Sequence, residues 1–317
     1  MRIAITGASG FVGRNLLIDM ARPEVDLVPI SRQVMEVPRW RPSPVLDRDT
    51  DPAEWAVVFA GIDVVVHCAA RAHVMREQAD DPLDTFRRIN RDGAIAMAQG
   101  AARAGVRRIV FLSSVKVLGE TTDGREPFRN GDPFAPLDPY AISKAEAEEA
   151  LAGLSRELGF DLVVLRPPLI YGPGVGGNIA AMIRLIRRGM VLPLGAAVRN
   201  RRSMISTINL ADAIHAAVTA SQATGQSLLV SDGEDVSTRA LVEGLAPAAG
   251  RRARLVFIPA GIMRAMLKLI GREAIWTRLF GNLAIDITDS CMRLGWSPRH
   301  SVAAGLSHIR MQERSHD

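Results

Sequence analysis

Tyr140 and Lys144 stand four residues apart in the run Tyr140-Ala141-Ile142-Ser143-Lys144. On a helix, positions i and i+4 share a face, so the phenol and the ammonium converge on one point. A phenol with an ordinary pKa near ~10 is a poor acid or base at neutral pH, whereas a cation held close favours the phenolate and draws the value toward the working range. The spacing therefore predicts a proton-transfer pair in which Lys144 lowers the pKa of Tyr140. A surface helix that happens to carry both residues is the plain alternative, and the segments upstream decide between the two.

Residues 2–6 are mostly β-compatible and stop at Gly7, and from Phe11 the apolar residues Phe11, Val12, Leu16, Leu17 and Met20 follow helical spacing. The order is strand, glycine turn, helix. Gly7 permits a tight bend, Gly10 lets the backbone approach a pyrophosphate, and Gly13 lets the helix pack closely on the strand, with Ser9, Phe11 and Val12 at the helix start that faces the phosphates. The glycine spacing is G-x-x-G-x-x-G. A second cofactor signal lies at the end of the second strand, where an acidic residue would accept from the adenosine ribose of NAD and a cation with small donors would hold a 2′-phosphate. Ser31 and Arg32 occupy that place and favour NADP(H), with NAD(H) open; Asp47 and Arg48, after the third strand, are candidates for the adenine edge.

The glycine spacing, Tyr140, Lys144 and the serine pair Ser113-Ser114 before them resemble the extended short-chain dehydrogenase/reductase superfamily, the NAD-dependent epimerases and dehydratases, over nearly the whole chain. The resemblance implies a Rossmann-type, doubly wound parallel α/β sheet with a smaller C-terminal substrate-binding lobe. Asp63-Val64-Val65-Val66-His67-Cys68-Ala69-Ala70 resembles the fourth strand and the loop under the cofactor, which brings Ala69 and Ala70 to it. Residues 111–119 resemble the fifth strand, and the distance to Gly119 places the catalytic hydroxyl at Ser114. Residues 166–174, with Pro167 at the cofactor, resemble the segment after the sixth strand.

Within the superfamily, nucleotide-sugar enzymes carry an Asn that opens a helix, a Pro-containing apolar strand beside the nucleobase, and an Arg shortly before a helix start of the form V-x-D-L-A-D. Asn178, then Pro193 and Leu194 within Leu192-Pro193-Leu194-Gly195, then Arg202 before Ile208-Asn209-Leu210-Ala211-Asp212 resemble these, with Arg202 gripping a diphosphate. Arg278 is a second grip or a structural arginine. Arg71, His73 and Lys116 follow cofactor-site strands and are either sugar contacts or structural residues. The segments 113–117, 200–203 and 230–235 together resemble bacterial reductases of O-antigen synthesis that act on UDP-4-keto-6-deoxy-N-acetylglucosamine; relatives with these features are often labelled UDP-glucose 4-epimerases. Where many epimerases have Asn after the Arg-Pro segment, this chain has Leu169.

The resemblance thus implies an enzyme that moves hydride between nicotinamide and sugar C4, either a 4-ketoreductase of a lipopolysaccharide pathway or a 4-epimerase with retained NAD. A nucleotide-sensing protein without catalysis is the alternative from another class, against which the retention of Tyr140 and Lys144 stands. Family members dimerise through two helices, here 81–104 and 139–158, so a homodimer is expected.

The 317 residues suffice for one large domain and a smaller lobe, expected over 1–171 with 203–231 and over 172–202 with 232–317. Two cysteines, Cys68 and Cys291, give neither a metal-ligand spacing nor a disulfide framework, so no metal is expected and a reducing cytoplasm fits. The N-terminus lacks a leader pattern, and no apolar run approaches the ~20 residues of a membrane span. Residues 262–270 are apolar with Arg264 and Lys268 interspersed, which suits a membrane surface or, more commonly, an amphipathic helix packed in the second lobe. The net charge of +5 sits in arginine clusters around 184–188, 199–202 and 251–254. No nucleic-acid motif accompanies them, and arginine forks suit a small anionic substrate. Strands are expected at 3–6, 27–30, 45–46, 64–66, 108–112, 162–166 and 227–230. Helices are expected at 11–21, 52–60, 81–104, 139–158, 177–188, 209–221, 237–249 and 298–310.

Overall fold

Successive strand residues divide between two apolar layers. Ile3, Ile5, Val64, Val66, Val110 and Leu112 enter one buried cluster, and Ala4, Val65, Ile109 and Phe111 enter another. This period of two, apolar on both sides, is what a parallel sheet covered on both faces requires. The structure, a computed structural model, describes residues 1–32, 50–72, 81–269 and 271–313. The strand expected at 45–46, and with it Asp47 and Arg48, lies outside the described residues, as does His73.

The strands in chain order are β1 (Arg2–Thr6), β2 (Asp26–Ile30), β3 (Val64–His67), β4 (Arg108–Leu112), β5 (Asp161–Arg166), β6 (Leu169–Tyr171), β7 (Val191–Leu192), β8 (Arg202–Ser206), β9 (Gln226–Leu229), β10 (Asp235–Val236) and β11 (Arg254–Leu255). Six form an all-parallel sheet in the order β2-β1-β3-β4-β5-β9. The chain is therefore α/β with the parallel central sheet that the sequence predicts. Helices α1 (Phe11–Asp19), α7 (Thr207–Thr219) and α11 (Thr288–Leu294) cover one face, through Leu16, Leu17, Leu210, Ile214 and Leu294. Helices α2 (Pro52–Val58), α4 (Gly93–Arg103) and α5 (Pro139–Leu158) cover the other, through Trp55, Met97, Ala98, Ala147 and Leu151.

A second sheet, β10-β8-β6, and a two-stranded ribbon, β11-β7, lie outside this core. Their apolar cluster joins Ile179, Ile183 and Ile186 of α6 (Gly177–Arg187), Leu241, Val242 and Leu245 of α8 (Thr238–Ala249), and Val302, Leu306 and Ile309 of α12 (Val302–Glu313). Strand β8 belongs to both regions, since Ile205 packs with the first cluster and Met204 with the outer one. A buried polar knot fastens the two: the Tyr171 hydroxyl donates to Asp232 Oδ2 at 2.5 Å, Asn209 Nδ2 donates to Asp232 Oδ1 at 2.7 Å, and the Ser206 amide donates to Asp232 Oδ1 at 2.9 Å.

The six described central strands fall within a residue of their expected bounds, and α5 matches its expected span. Three departures have local causes. The helix expected over 81–104 is α3 (Pro82–Phe86) and α4 separated by a π-helical turn, Arg87–Asp92, that carries the buried Asn90. Helix α7 starts two residues earlier than expected because the Ser206 hydroxyl caps it by accepting from the Asn209 amide. Helix α12 starts later than expected because the Arg299 and His300 amides donate to Asn209 Oδ1, each at 3.1 Å, instead of opening the helix. Strands β6, β8, β10 and β11 and helices α10 (Glu273–Phe280) and α11 are too short, or too mixed in pattern, to declare a period.

The glycine turn has little room for side chains. Gly7 adopts φ +69°, and a Cβ there would stand 2.7 Å from the Ala69 backbone nitrogen; a Cβ on Gly13 would stand 2.7 Å from Ala8 Cα. Because backbone atoms cannot yield as a flexible side chain does, Gly13→Ala is expected to lower stability by ~1–3 kcal/mol. Urea unfolding of the variant and the parent measures it, and an unchanged midpoint would show that α1 can move away from the turn.

Candidate active site

Helix α5 carries the chemistry, and its start is fixed by a cap. Asp138 Oδ1 accepts from the Ala141 amide at 2.7 Å, and Pro139 occupies the first helical position. Tyr140 thus lies in the first turn, with Lys144 one turn and Glu148 two turns further along the same face. Glu148 is buried and meets the buried Arg166 of β5, whose Nε reaches both carboxylate oxygens at 3.1 Å and whose terminal nitrogen reaches Oε2 at 2.7 Å. Ser113 donates to the same carboxylate from the end of β4.

Ser114, the next residue, places its hydroxyl beside the Tyr140 phenol, where it favours the ionised form. Its Oγ also accepts from the Lys116 amide at 3.3 Å. The loops after β4 and β5 are joined where the Val115 amide donates to the Pro167 carbonyl at 2.9 Å. Ser114, Tyr140, Lys144 and Pro167 are therefore brought together at the carboxyl ends of the central strands. The ends of β1 and β3 lie beside them, pinned where Thr6 Oγ1 and His67 Nδ1 share a hydrogen bond of 2.8 Å.

The electrostatics differ from the sequence expectation. Burial pushes the Tyr140 phenol up to about 12; the neighbouring Ser114 hydroxyl opposes the rise, the Asp138 carboxylate adds to it, and no lowering by Lys144 enters. The expected depression of Tyr140 by Lys144 is thus corrected. Lys144 is itself 1% exposed, and burial pushes it down to about 7 against the pull of Glu148 and Cys68. Its ammonium lies 3.8 Å from the centroid of the Phe111 ring. Burial likewise holds His67 down to about 3 and raises Cys68 to about 12, with Lys144 the second influence on each. A lysine so placed is only partly charged near neutrality and leaves the phenol protonated.

The glycine turn fits a dinucleotide. Gly10 is the N-cap of α1 and offers no side-chain cap, and the first turn holds no acidic residue, so the Phe11, Val12 and Gly13 amides at this helix start have no side chain to satisfy them among the described residues. Ser9 is half-buried beside them. Ser31 is buried directly after β2, and Arg32 is exposed next to it. Ala69, whose amide donates to Thr6 Oγ1 at 3.5 Å, and the exposed Ala70 follow β3 beneath the turn. These groups fit the phosphates and ribose of a nicotinamide dinucleotide, with the uncapped amides and Arg32 as anion donors and Lys144 near the reactive end.

The residues expected at the substrate divide into two sets. Arg71 stands on the same wall as Tyr140: its guanidinium lies 5.6 Å from the Phe86 ring centroid, and Phe86 meets Tyr140 edge-on at 6.3 Å. The Lys116 ammonium is held by Asp138 at 2.5 Å and Glu120 at 3.0 Å, so it acts on the cap of α5. The other set lies in the outer region. Asn178 is exposed in the first turn of α6, Pro193 is half-buried and Leu194 buried after β7, and Arg202 opens β8 with its guanidinium donating to the Gly281 carbonyl at 3.2 Å. Burial lowers the Arg202 pKa, opposed by Asp123. Arg278 is exposed in the last turn of α10, three residues before that carbonyl.

Several site residues escape the sequence. Asn90, 1% exposed, accepts from the Arg71 amide at 2.8 Å and donates to the Arg71 carbonyl at 3.1 Å and to Ser143 Oγ at 2.9 Å, so it stitches the loop after β3 to α5. A poor helix former in the middle of a long helical stretch is the signal that marks it. Asp138 is announced by the Asp-Pro pair of a helix start. Glu148 is announced only by its i+4 place after Lys144.

Comparison with known proteins gives the family. The model of the NAD dependent epimerase/dehydratase family matches residues 3–230. A protein of Vibrio cholerae named UDP-glucose 4-epimerase is 37% identical over 305 residues, covering 96% of this chain and 93% of the relative. Among solved structures, UDP-N-acetylglucosamine 4-epimerase from Bacillus cereus superposes with a TM-score of 0.80 at 17% identity over 99% of both chains. RMD from Pseudomonas aeruginosa complexed with NADPH superposes at 0.77 with 22% identity over 100% of this chain and 99% of the other. The chain belongs to the NAD dependent epimerase/dehydratase family.

The buried lysine makes stability depend on pH in a stated direction. Lys144 has a folded pKa of about 7 against an ordinary value of 10.5, so between those values the unfolded chain binds the extra proton and stability rises with pH. Below about 7 both states are protonated and the penalty of burying the charge is fully present. Lys144→Met is therefore expected to be more stable than the parent at pH 6, with the gap closing by up to ~1.4 kcal/mol per pH unit above neutrality. Thermal unfolding of both proteins across that range checks it, and a gap that widens as pH rises refutes the assignment.

Proposed function

We propose that this family member is a nucleotide-sugar 4-ketoreductase, which reduces the C4 carbonyl of a UDP-4-keto-6-deoxy-hexosamine for surface polysaccharide synthesis. The observation that carries the reading is the Tyr140 phenol, pushed up to about 12, beside the Ser114 hydroxyl and one helical turn before the buried Lys144. Reduction of a ketone needs an acid at the carbonyl oxygen, and such a phenol is protonated at neutral pH. Tyr140 delivers its proton to the sugar O4 as C4 accepts hydride. Ser114 binds the same oxygen and fixes its direction. Lys144, poised near neutrality, binds the nicotinamide ribose and returns a proton drawn from solvent to the phenolate. A reduced nicotinamide dinucleotide, when bound over the glycine turn, supplies the hydride and leaves in its oxidised form.

The cofactor reading rests on Ser31 and Arg32, which stand at the end of β2 where an NAD-preferring site carries a carboxylate. We assign NADP(H), which exchanges at every turnover as a reductase requires. In the outer region, the desolvated Arg202 suits a diphosphate, with Asn178, Pro193 and Leu194 toward the uridine and Arg278 near the same phosphates. A 4-epimerase of UDP-glucose or UDP-N-acetylglucosamine with retained NAD is the second reading, favoured by the name of the Vibrio cholerae relative. Leu169, at the start of β6 where many epimerases carry Asn, supports the reductase.

Incubation with a UDP-4-keto-6-deoxy-hexosamine is expected to oxidise NADPH in equal amount to the sugar reduced, whereas interconversion of UDP-glucose and UDP-galactose without net cofactor consumption would establish the epimerase. Tyr140→Phe should keep the fold and cofactor binding while kcat falls by ~10² or more; near-normal turnover would reject Tyr140 as the acid. Arg32→Ala should weaken NADP(H) by ~1.5–3 kcal/mol and leave NAD(H) little changed. Titration of both cofactors decides it, and equal losses would remove the 2′-phosphate contact.

A further inference from the structure

Helix α9 (Ala260–Leu269) buries only part of its apolar surface. Met263 and Leu267 face the protein, as expected of an amphipathic helix packed in the outer region, but Ile262 is 55% exposed, Met266 52% and Leu269 86%. The last three stand at i, i+4 and i+7, so they form a second apolar stripe that nothing in the chain covers among the described residues. The stripe continues into neighbouring segments. Phe257 is exposed three residues before α9, and Val256 is exposed where its amide donates to the Leu192 carbonyl at 3.0 Å. Across the ribbon, Arg254 pairs with Val191, which is exposed beside the exposed Met190.

Within the two segments that carry most of this apolar surface the charges are of one sign. From 178 to 202 and from 250 to 272 the sequence contains no Asp or Glu, while it contains Arg184, Arg187, Arg188, Arg251, Arg252 and Arg254, all exposed, and Lys268 directly before Leu269. The ribbon β11-β7 binds the two basic segments into one face. Exposed aliphatic and aromatic side chains ringed by long cationic ones match the boundary of an anionic bilayer, where apolar groups enter the acyl region and the cations reach the headgroup phosphates. A second copy of the chain in a symmetric contact would bring the arginines of the two basic segments against their own counterparts, and a nucleic acid would leave Phe257, Ile262, Met266 and Leu269 in water.

We propose that the face formed by α9 and the β11-β7 ribbon docks this protein on an anionic lipid surface. The docking is peripheral, for no helix among the described residues is long and apolar enough to cross a membrane. It uses none of the residues placed at the Tyr140 site and does not depend on which sugar that site takes. Vesicles of equal parts phosphatidylglycerol and phosphatidylcholine are expected to carry the protein down on sedimentation, vesicles of phosphatidylcholine alone to leave it in solution, and added salt to release it.

Two variants at exposed positions read the two components. Phe257→Asp with Leu269→Asp should abolish sedimentation through the apolar stripe, and Arg251→Glu with Arg252→Glu should weaken it by roughly tenfold or more through charge. Both should keep the parent's thermal transition and its turnover of a water-soluble substrate. Failure of the parent to sediment with anionic vesicles overturns the proposal, as does equal binding to neutral vesicles or undiminished binding by both variants. Light scattering that shows the parent as a larger assembly than the Asp variant would assign the face to self-association instead, and would equally overturn it.

Discussion

The Glu148–Arg166 pair sets the depth and rotation of α5, and through α5 the geometry of the site. Taking a carboxylate and a guanidinium out of water costs several kcal/mol for each ion unless the remaining donors and acceptors are satisfied. Here Arg166 meets both oxygens of Glu148, and Ser113 and Ser227 bind the same carboxylate from β4 and β9. The helix is held at one residue by three strands. Tyr140, Lys144 and Glu148 form one stripe at intervals of four, so fixing the last of them fixes the direction of the other two. The same carboxylate favours the charged form of Lys144 and so tempers the burial that opposes it. Structural anchor and tuning charge are one side chain.

What the sequence discloses is what short-range spacing can encode. The glycine turn, the i and i+4 pair and the apolar strands each occupy a few consecutive residues, and their chemistry and position follow together. The central strands and α5 are found near their expected bounds for that reason. The misread features depend on partners far along the chain. Whether Tyr140 is raised or lowered depends on how much protein encloses it and on Ser114, 26 positions away by the numbering, rather than on the lysine one turn further on. Asn90 looks like an ordinary polar residue in a helix until the π-helical turn carries it between Arg71 and Ser143. Lys116, open in the sequence between a sugar contact and a structural residue, is held by Asp138, 22 positions on, and by Glu120.

The arginine clusters show the same limit. As sequence they are three similar groups, all suited to phosphate. In the fold, Arg202 is half-buried and desolvated at the start of β8, Arg201 pairs with Asp235, and the residues around 251–254 are turned to solvent beside exposed apolar side chains. Composition measures charge, whereas burial decides whether that charge meets a small ligand, a carboxylate or water.

The knot at Asp232 bears on how the chain comes to fold as it is made. Tyr171 and Ser206, in β6 and β8, wait for a carboxylate that follows them by dozens of residues, and Asn209 is completed only by the backbone at 299–300, with its Nδ2 on the His300 carbonyl at 2.7 Å. As the chain leaves the ribosome, β1 to β5 can associate while β6 and β8 still lack these partners. The outer wall of the cleft must then form in a late step that joins segments made at different times. Until that step, the buried tyrosine and the head of α7 remain open to solvent, and a chaperone or a protease would meet the molecule there.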